Sequence, residues 1–240
     1  MPNNYFQFKK FTIQQEKSNM KVCTDSCLFG AWVANKIEQN IISPKTIIDI
    51  GTGTGLLSLM LAQKSGAQIH AVDIDKNSFD QATCNFNASP WNKRMRAFHS
   101  DIKDWKAPFK YDLVITNPPF YENDLLPQEN GKTISKHSSM MGLKYLLYNA
   151  KNLLNRDGNF AVLLPFARTK WFEDAASAYS LFAKEKTEVK QTPQHYFFRT
   201  MLLLQNQKTS TLKNELTIKN SHNEYTPEFI ELLKDYYLYL

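Results

Sequence analysis

Thr46-Ile47-Ile48-Asp49-Ile50-Gly51-Thr52-Gly53-Thr54-Gly55-Leu56 is the stretch that decides how this chain folds. Its first five residues form a β-rich run of the kind that marks a buried strand. Three glycines at alternate positions follow, and Leu56 to Lys64 then takes up helical spacing. A strand handed to a helix through a glycine turn opens a βαβ unit, and the pattern repeats along the chain. Further candidate strands are Gln68 to Asp73, Met95 to His99, Tyr111 to Thr116, Asn159 to Leu164 and Thr200 to Gln205. Ser78 to Asn87, Leu143 to Leu154 before the Asp157-Gly158 turn, and Lys170 to Phe182 have helical spacing between them. This alternation predicts an α/β fold, a mostly parallel sheet with helices on both faces.

The glycine turn also bears on chemistry. Glycines let a chain approach a ligand closely where a buried strand meets a helix. The spacing is Gly51-x-Gly53-x-Gly55, with Leu56 where a dinucleotide fingerprint has its third glycine. This argues against a nicotinamide or flavin cofactor and for S-adenosyl-L-methionine, although such a loop alone is a weak signal. Ala71-Val72-Asp73 ends the next strand with a carboxylate, placed where a ribose would present its two hydroxyls. Asp73 is preferred to Asp75 as the first acid past the strand, and Ile74 is grouped with it. Asp101 ends the third strand in the same way and can accept from an exocyclic adenine amine, with Ile102 packing on the ring. Asp75 and Asp104 read better as helix caps or solvated charges.

Asn117-Pro118-Pro119-Phe120 follows the apolar run Leu113-Val114-Ile115. An amino group conjugated to a ring or a carbonyl has a delocalised lone pair and is a poor nucleophile. An Asn side-chain carbonyl beside a Pro-fixed backbone carbonyl offers two aimed acceptors for its N–H groups. Phe120 supplies a face for a flat substrate, and Tyr121 is a weaker candidate for the same face. Coming after three strand ends, the tetrapeptide sits where an open sheet has its topological switch point. The expectation is methyl transfer to a planar nitrogen.

Size and composition set the limits. The chain has 240 residues, 42% hydrophobic and 22% charged, as in an ordinary globular protein. It lacks a long apolar stretch and a signal-like start, so no membrane partner and a cytoplasmic location are expected. Cys23, Cys27 and Cys84 offer no second pair at metal-ligand spacing, and no metal is expected. The excess of 29 basic over 23 acidic residues gives a net charge of +6, which favours a polyanionic partner without proving one. Residues 1–45 read as a segment leading into the cofactor site, 46–205 as the catalytic core, and 206–240 as an extension with a helix starting at Thr226-Pro227. Asn123 to Ser138 is a long polar connection beside the tetrapeptide, as in lids and substrate-binding elements.

These motifs, in this order, resemble those of class I S-adenosylmethionine-dependent amino-methyltransferases. The narrower likeness is to the bacterial enzymes that methylate N6 of the adenosine beside the anticodon of a valine tRNA. It rests on Phe8-Lys9-Lys10-Phe11, Met20-Lys21-Val22-Cys23-Thr24-Asp25, Leu28-Phe29-Gly30-Ala31-Trp32, Ser89-Pro90-Trp91 and the closing helix from Tyr225-Thr226-Pro227 to Tyr236-Tyr237-Leu238. Cys23 stands where a small residue is usual, and Ser135-Lys136-His137 departs from an Ala-Arg-aromatic pattern. The resemblance implies a Rossmann-like, mostly parallel seven-stranded sheet with helices on both faces; the oligomeric state stays open, with a monomer favoured. It also implies that Lys21, Thr24 and Asp25 lie near the methionine end of the cofactor, joining Asp49, Gly51, Gly53, Gly55, Asp73, Ile74, Asp101, Ile102 and Asn117. Asn117, Pro118, Pro119 and Phe120 carry the catalysis on this reading. Candidate tRNA contacts are Lys9, Lys10, Lys93, Arg94, Arg96, Lys132, Lys136, Arg168, Lys170 and Arg199. N6-adenine methylation of ribosomal RNA and N5-glutamine methylation of a release factor stay open as alternatives.

Overall fold

The computed structural model of the chain describes residues 3–18, 21–119 and 133–240, with side chains in the last stretch from Gly142 onward. A short hairpin, β1 (Tyr5–Gln7) and β2 (Thr12–Gln14), precedes helix α1 (Thr24–Glu38). The core then runs β3 (Thr46–Ile50), α2 (Leu56–Lys64), β4 (Gln68–Asp73), α3 (Lys76–Asn87), β5 (Met95–His99) and β6 (Tyr111–Thr116). It continues with α4 (Thr133–Leu153), β7 (Leu154–Pro165), α5 (Thr169–Ala178), β8 (Phe182–Lys190), β9 (Phe197–Gln205), β10 (Leu212–Thr217) and α6 (Pro227–Leu233).

One eight-stranded sheet is ordered β10-β8-β9-β7-β6-β3-β4-β5. Strands β5, β4, β3, β6 and β7 pair in parallel, β9 is antiparallel to β7 and β8, and β10 is parallel to β8. The chain winds outward from β3 to β5 and then returns to β6 on the other side of β3. That reversal opens a crevice at the carboxyl ends of β3 and β6.

Alternate side chains feed two cores, as the period of two requires. Ile47, Ile69, Leu113, Ile115, Leu163 and Leu203 face the layer of α1, α2, α3 and α6. Ile48, Ile50, Val114, Phe160, Val162 and Leu202 face α4 and α5. The hairpin is tied down by polar contacts: Gln14 and Asn85 exchange hydrogen bonds, and Asn85 Nδ2 also donates to the Thr54 carbonyl in the glycine turn at 2.9 Å. At the other end Tyr236 Oη donates to the Met60 carbonyl.

The sheet has eight strands rather than the expected seven. β8 alternates charged residues with Thr and Val, and β10 is an exposed polar edge strand in which only Leu216 is buried, so neither shows an apolar period. Helix α5 stops at Ala178, before Phe182, where Ser180 takes φ +54° and turns the chain into β8. The Asp157-Gly158 turn lies inside β7, where the register with β6 shifts.

Candidate active site

Four strand ends meet at the crevice. They bound a cleft of about 710 Å³ lined by Gly51 and Gly53 after β3, Asp73 and Ile74 after β4, Asp101 and Ile102 after β5, and Asn117 and Pro119 after β6. Ile50, Val72, Asp75, Ser78 and Ser100 complete the wall.

The glycine turn is fixed from both sides. Gly51 N donates to the Val72 carbonyl at 2.8 Å, and Gly53 N donates to Asp73 Oδ2 at 2.8 Å. Gly53 has φ +57°, which L side chains rarely adopt, and a Cβ added there would meet nothing within 4 Å. The turn therefore leaves open space for a ligand. Gly55, at φ +81°, has its back to Phe86, whose Cε1 would lie 2.5 Å from an added Cβ. Gly55 packs the turn onto α3 and does not line the cleft.

Asp49 also stays out of the cleft. It is fully buried, and its Oδ2 accepts from Thr52 Oγ1 at 2.7 Å and Ser58 Oγ at 2.8 Å. Burial pushes its carboxyl up to about 6, against the hydroxyl bonds that lower it. Its Oδ1 is buried without a hydrogen-bond partner among the described residues. The residue was expected at the cofactor, but it braces the turn against α2 from beneath.

Asp73 combines two roles. Its Oδ1 accepts from Asp75 N at 2.9 Å while its Oδ2 holds Gly53, and burial pushes its carboxyl above the ordinary range. Asp75 is the N-cap of α3, accepting from Ser78 N and Oγ, which holds its carboxyl low. Asp101 Oδ1 accepts from Lys103 N at 2.9 Å. Ile74 is 66% exposed, a large apolar side chain that the fold leaves at the cleft edge. Two strand-end carboxylates, apolar faces at Ile74 and Ile102, and a side-chain-free turn suit a purine nucleoside carrying a charged tail. The donor and acceptor set therefore fits S-adenosyl-L-methionine.

Asn117 is oriented by a residue that the sequence reading missed. Its Nδ2 donates to Ser26 Oγ at 2.8 Å, which leaves Oδ1 as the acceptor for a substrate. Ser26 is buried in the first turn of α1, 3.0 Å from Cys23 Sγ. Its neighbour Asp25 accepts from Ser26 N and, through Oδ2, from Arg199 Nε at 2.8 Å. The helix begins at Thr24, and its first turn abuts Asn117 through Ser26. None of Lys21, Thr24 and Asp25 lines the cleft: Lys21 Nζ donates to the Gln15 carbonyl, Thr24 is exposed, and Asp25 is paired with Arg199. Pro118 is half-buried beside Asn117.

Phe120, Tyr121 and Lys132 fall outside the described residues, as do most of the expected lid and the side chain of Lys136. Several other expected RNA contacts already have partners within the chain or lie elsewhere. Arg94 donates to the Ala62 and Ala67 carbonyls, Lys9 to the Lys234 carbonyl, and Lys170 pairs with Asp174. Lys93, Arg94 and Arg96 sit at the amino end of β5, the edge opposite the cleft.

The methyltransferase small domain family matches residues 30–167. A tRNA1(Val) (adenine(37)-N6)-methyltransferase of Trichodesmium erythraeum (strain IMS101) is 40% identical over 99% of this chain and 99% of its own. The protein of that name from Cytophaga hutchinsonii is 39% identical over the full length of both. Among solved structures, one described as a "predicted O-methyltransferase" from Agrobacterium tumefaciens superposes with TM-score 0.65 at 14% identity, covering 88% of this chain and 96% of that one. The ribosomal protein L11 methylase of Lactobacillus delbrueckii subsp. bulgaricus gives TM-score 0.54 at 18% identity, covering 75% and 77%. At such identities the structures speak for the shared fold alone.

Proposed function

The chain belongs to the methyltransferase small domain family and, within it, to the tRNA1(Val) (adenine(37)-N6)-methyltransferases, and from that premise we propose that it methylates N6 of an adenosine beside the anticodon of a valine tRNA. The observation that carries the chemistry is the Asn117 amide, held by Ser26 Oγ so that Oδ1 is presented beside the cleft.

S-adenosyl-L-methionine, when bound, supplies an electrophilic methyl group on a sulfonium. Asp73 would hold the ribose hydroxyls, Asp101 the adenine amine, and Ile74 and Ile102 the ring faces. Asn117 Oδ1 and the Pro118 carbonyl accept the two N6 protons of the substrate adenine. They draw the nitrogen from planar toward tetrahedral and free its lone pair. Both hydrogen bonds strengthen as positive charge develops on nitrogen, so they stabilise the transition state more than the ground state. The amine proton is acidic after transfer and passes to water, so no dedicated base is required. Phe120, which closes the tetrapeptide, is proposed to stack on the target base. An anticodon-loop nucleotide meets the requirement for unstacking at the lowest cost, a few kcal/mol.

The test is transfer of labelled methyl from S-adenosyl-L-methionine into unmodified RNA, followed by nucleoside analysis. N6-methyladenosine is expected in the tRNA fraction. Asn117→Ala should lower kcat by roughly 100- to 1,000-fold, by analogy with removing one preorganised oxyanion-hole donor. Label confined to ribosomal RNA or to protein would overturn the substrate assignment.

A further inference from the structure

Beyond Asn117 the carboxyl edge of the sheet continues outward, and the strands that reach it end in aromatic and basic residues. Thr116 pairs with Val162 across β6 and β7, Pro165 with Arg199 across β7 and β9, and Lys190 with Phe197 across β8 and β9. Just past β10, Lys219 N donates to the Gln191 carbonyl. At about 4.8 Å per strand, this rim runs roughly 20 Å from the site.

Tyr196, on the β8–β9 connection, is 94% exposed, and Phe166, at the end of β7, is 37% exposed. The Phe166 and Phe197 rings lie 5.2 Å apart, and Lys190 Nζ stands 4.2 Å from the Phe197 ring centroid and 3.3 Å from Oε2 of the exposed Glu215, an ion pair that a phosphate would replace. Arg199 joins this group to Asp25 and so to the first turn of α1. Water solvates aromatic faces poorly, so several grouped beside cations on the lip of a site call for a ligand with flat faces and negative charge. Unpaired RNA has both, since its bases stack on aromatic side chains and its phosphates seek Lys and Arg.

We propose that this rim is the seat of the loop nucleotides flanking the target adenosine. Tyr196 and Phe166 form the stacking surface, and Lys190 and Lys219 meet the phosphates. The inference rests on the tRNA reading above and adds to it the surface that holds the RNA.

The experiment is steady-state methylation of an unmodified tRNA transcript, with cofactor binding measured separately. Tyr196→Ala is expected to raise the KM for tRNA roughly tenfold, in keeping with the loss of one base–aromatic stack, and to leave saturating kcat within about twofold. Tyr196→Trp should keep the wild-type KM. Lys219→Glu should raise KM and flatten its salt dependence. Tyr239→Ala, equally exposed at the far C-terminus, should change nothing. Cofactor affinity should be the same throughout. If the wild type methylates tRNA but Tyr196→Ala and Lys219→Glu leave KM unchanged, the rim is not the RNA surface. If the wild type modifies only ribosomal RNA or protein, the tRNA reading falls, and this surface with it.

Discussion

An amide side chain is useful as an acceptor only if something prevents it from flipping. Ser26 Oγ does this for Asn117 by taking the Nδ2 proton. Ser26→Ala should lower kcat about tenfold, the equivalent of a hydrogen bond worth roughly 1 to 1.5 kcal/mol, while cofactor affinity stays within twofold. Unchanged kcat would mean that Asn117 keeps its orientation without the serine. Asn117 and Asp73 could be picked from the sequence because each is a polar residue closing an apolar strand, and Asp101 because it is the first acid past β5, which are local patterns. Ser26 could not, because its partner lies 91 residues away and nothing in its own neighbourhood marks it. Arg199 and Asp25 could each be named from the sequence, but not their pairing, which spans 174 residues. Lys21 and Asp49 show the converse: they sit in or next to a motif, yet one donates to the Gln15 carbonyl and the other braces the turn from below.

The glycine turn is an element with its own titration. Its brace, Asp49, has an ordinary carboxyl value of 3.8 that burial raises to about 6. The folded chain therefore holds this proton more tightly than the unfolded chain does. The stability that Asp49 contributes is full below about pH 4 and is lost as pH rises toward 6. Thermal melts between pH 4 and 6.5 should show the wild type losing ground against Asp49→Asn across that window. Parallel curves would show that the group does not titrate there. The turn itself was legible because alternate glycines between a β run and a helical run have few other uses. β8 was not legible, and of β10 only the end was, as the short β-like run Leu216 to Ile218, because the apolar period that signals a strand is absent from the rest. Polar partners settle β8 instead, among them Lys36 to Glu185 and Lys186 to Glu173.

For the molecule as a whole, the pair Lys36–Glu185 is the clearest long-range tie. Nζ and Oε1 are 2.6 Å apart with side chains 10% and 4% exposed, joining α1 to β8, and Asn214 of β10 donates to the same oxygen. Glu185→Ala strands a buried ammonium and should destabilise the fold by about 3 to 5 kcal/mol in urea denaturation. A loss below about 1 kcal/mol would mean that Lys36 reaches solvent once its partner is gone. By itself the sequence determined the α/β class, the strand that begins the winding, the strand-end carboxylates and the Asn-Pro-Pro-Phe tetrapeptide. All of these are written in residues adjacent along the chain, where periodicity and turn chemistry act. Only the tertiary structure decided the eighth strand, the brace under the glycine turn, the serine that fixes Asn117 and the aromatic rim beyond it. Those depend on which strand lies beside which, and that is set by packing two apolar faces of one sheet, a choice made between residues far apart in sequence.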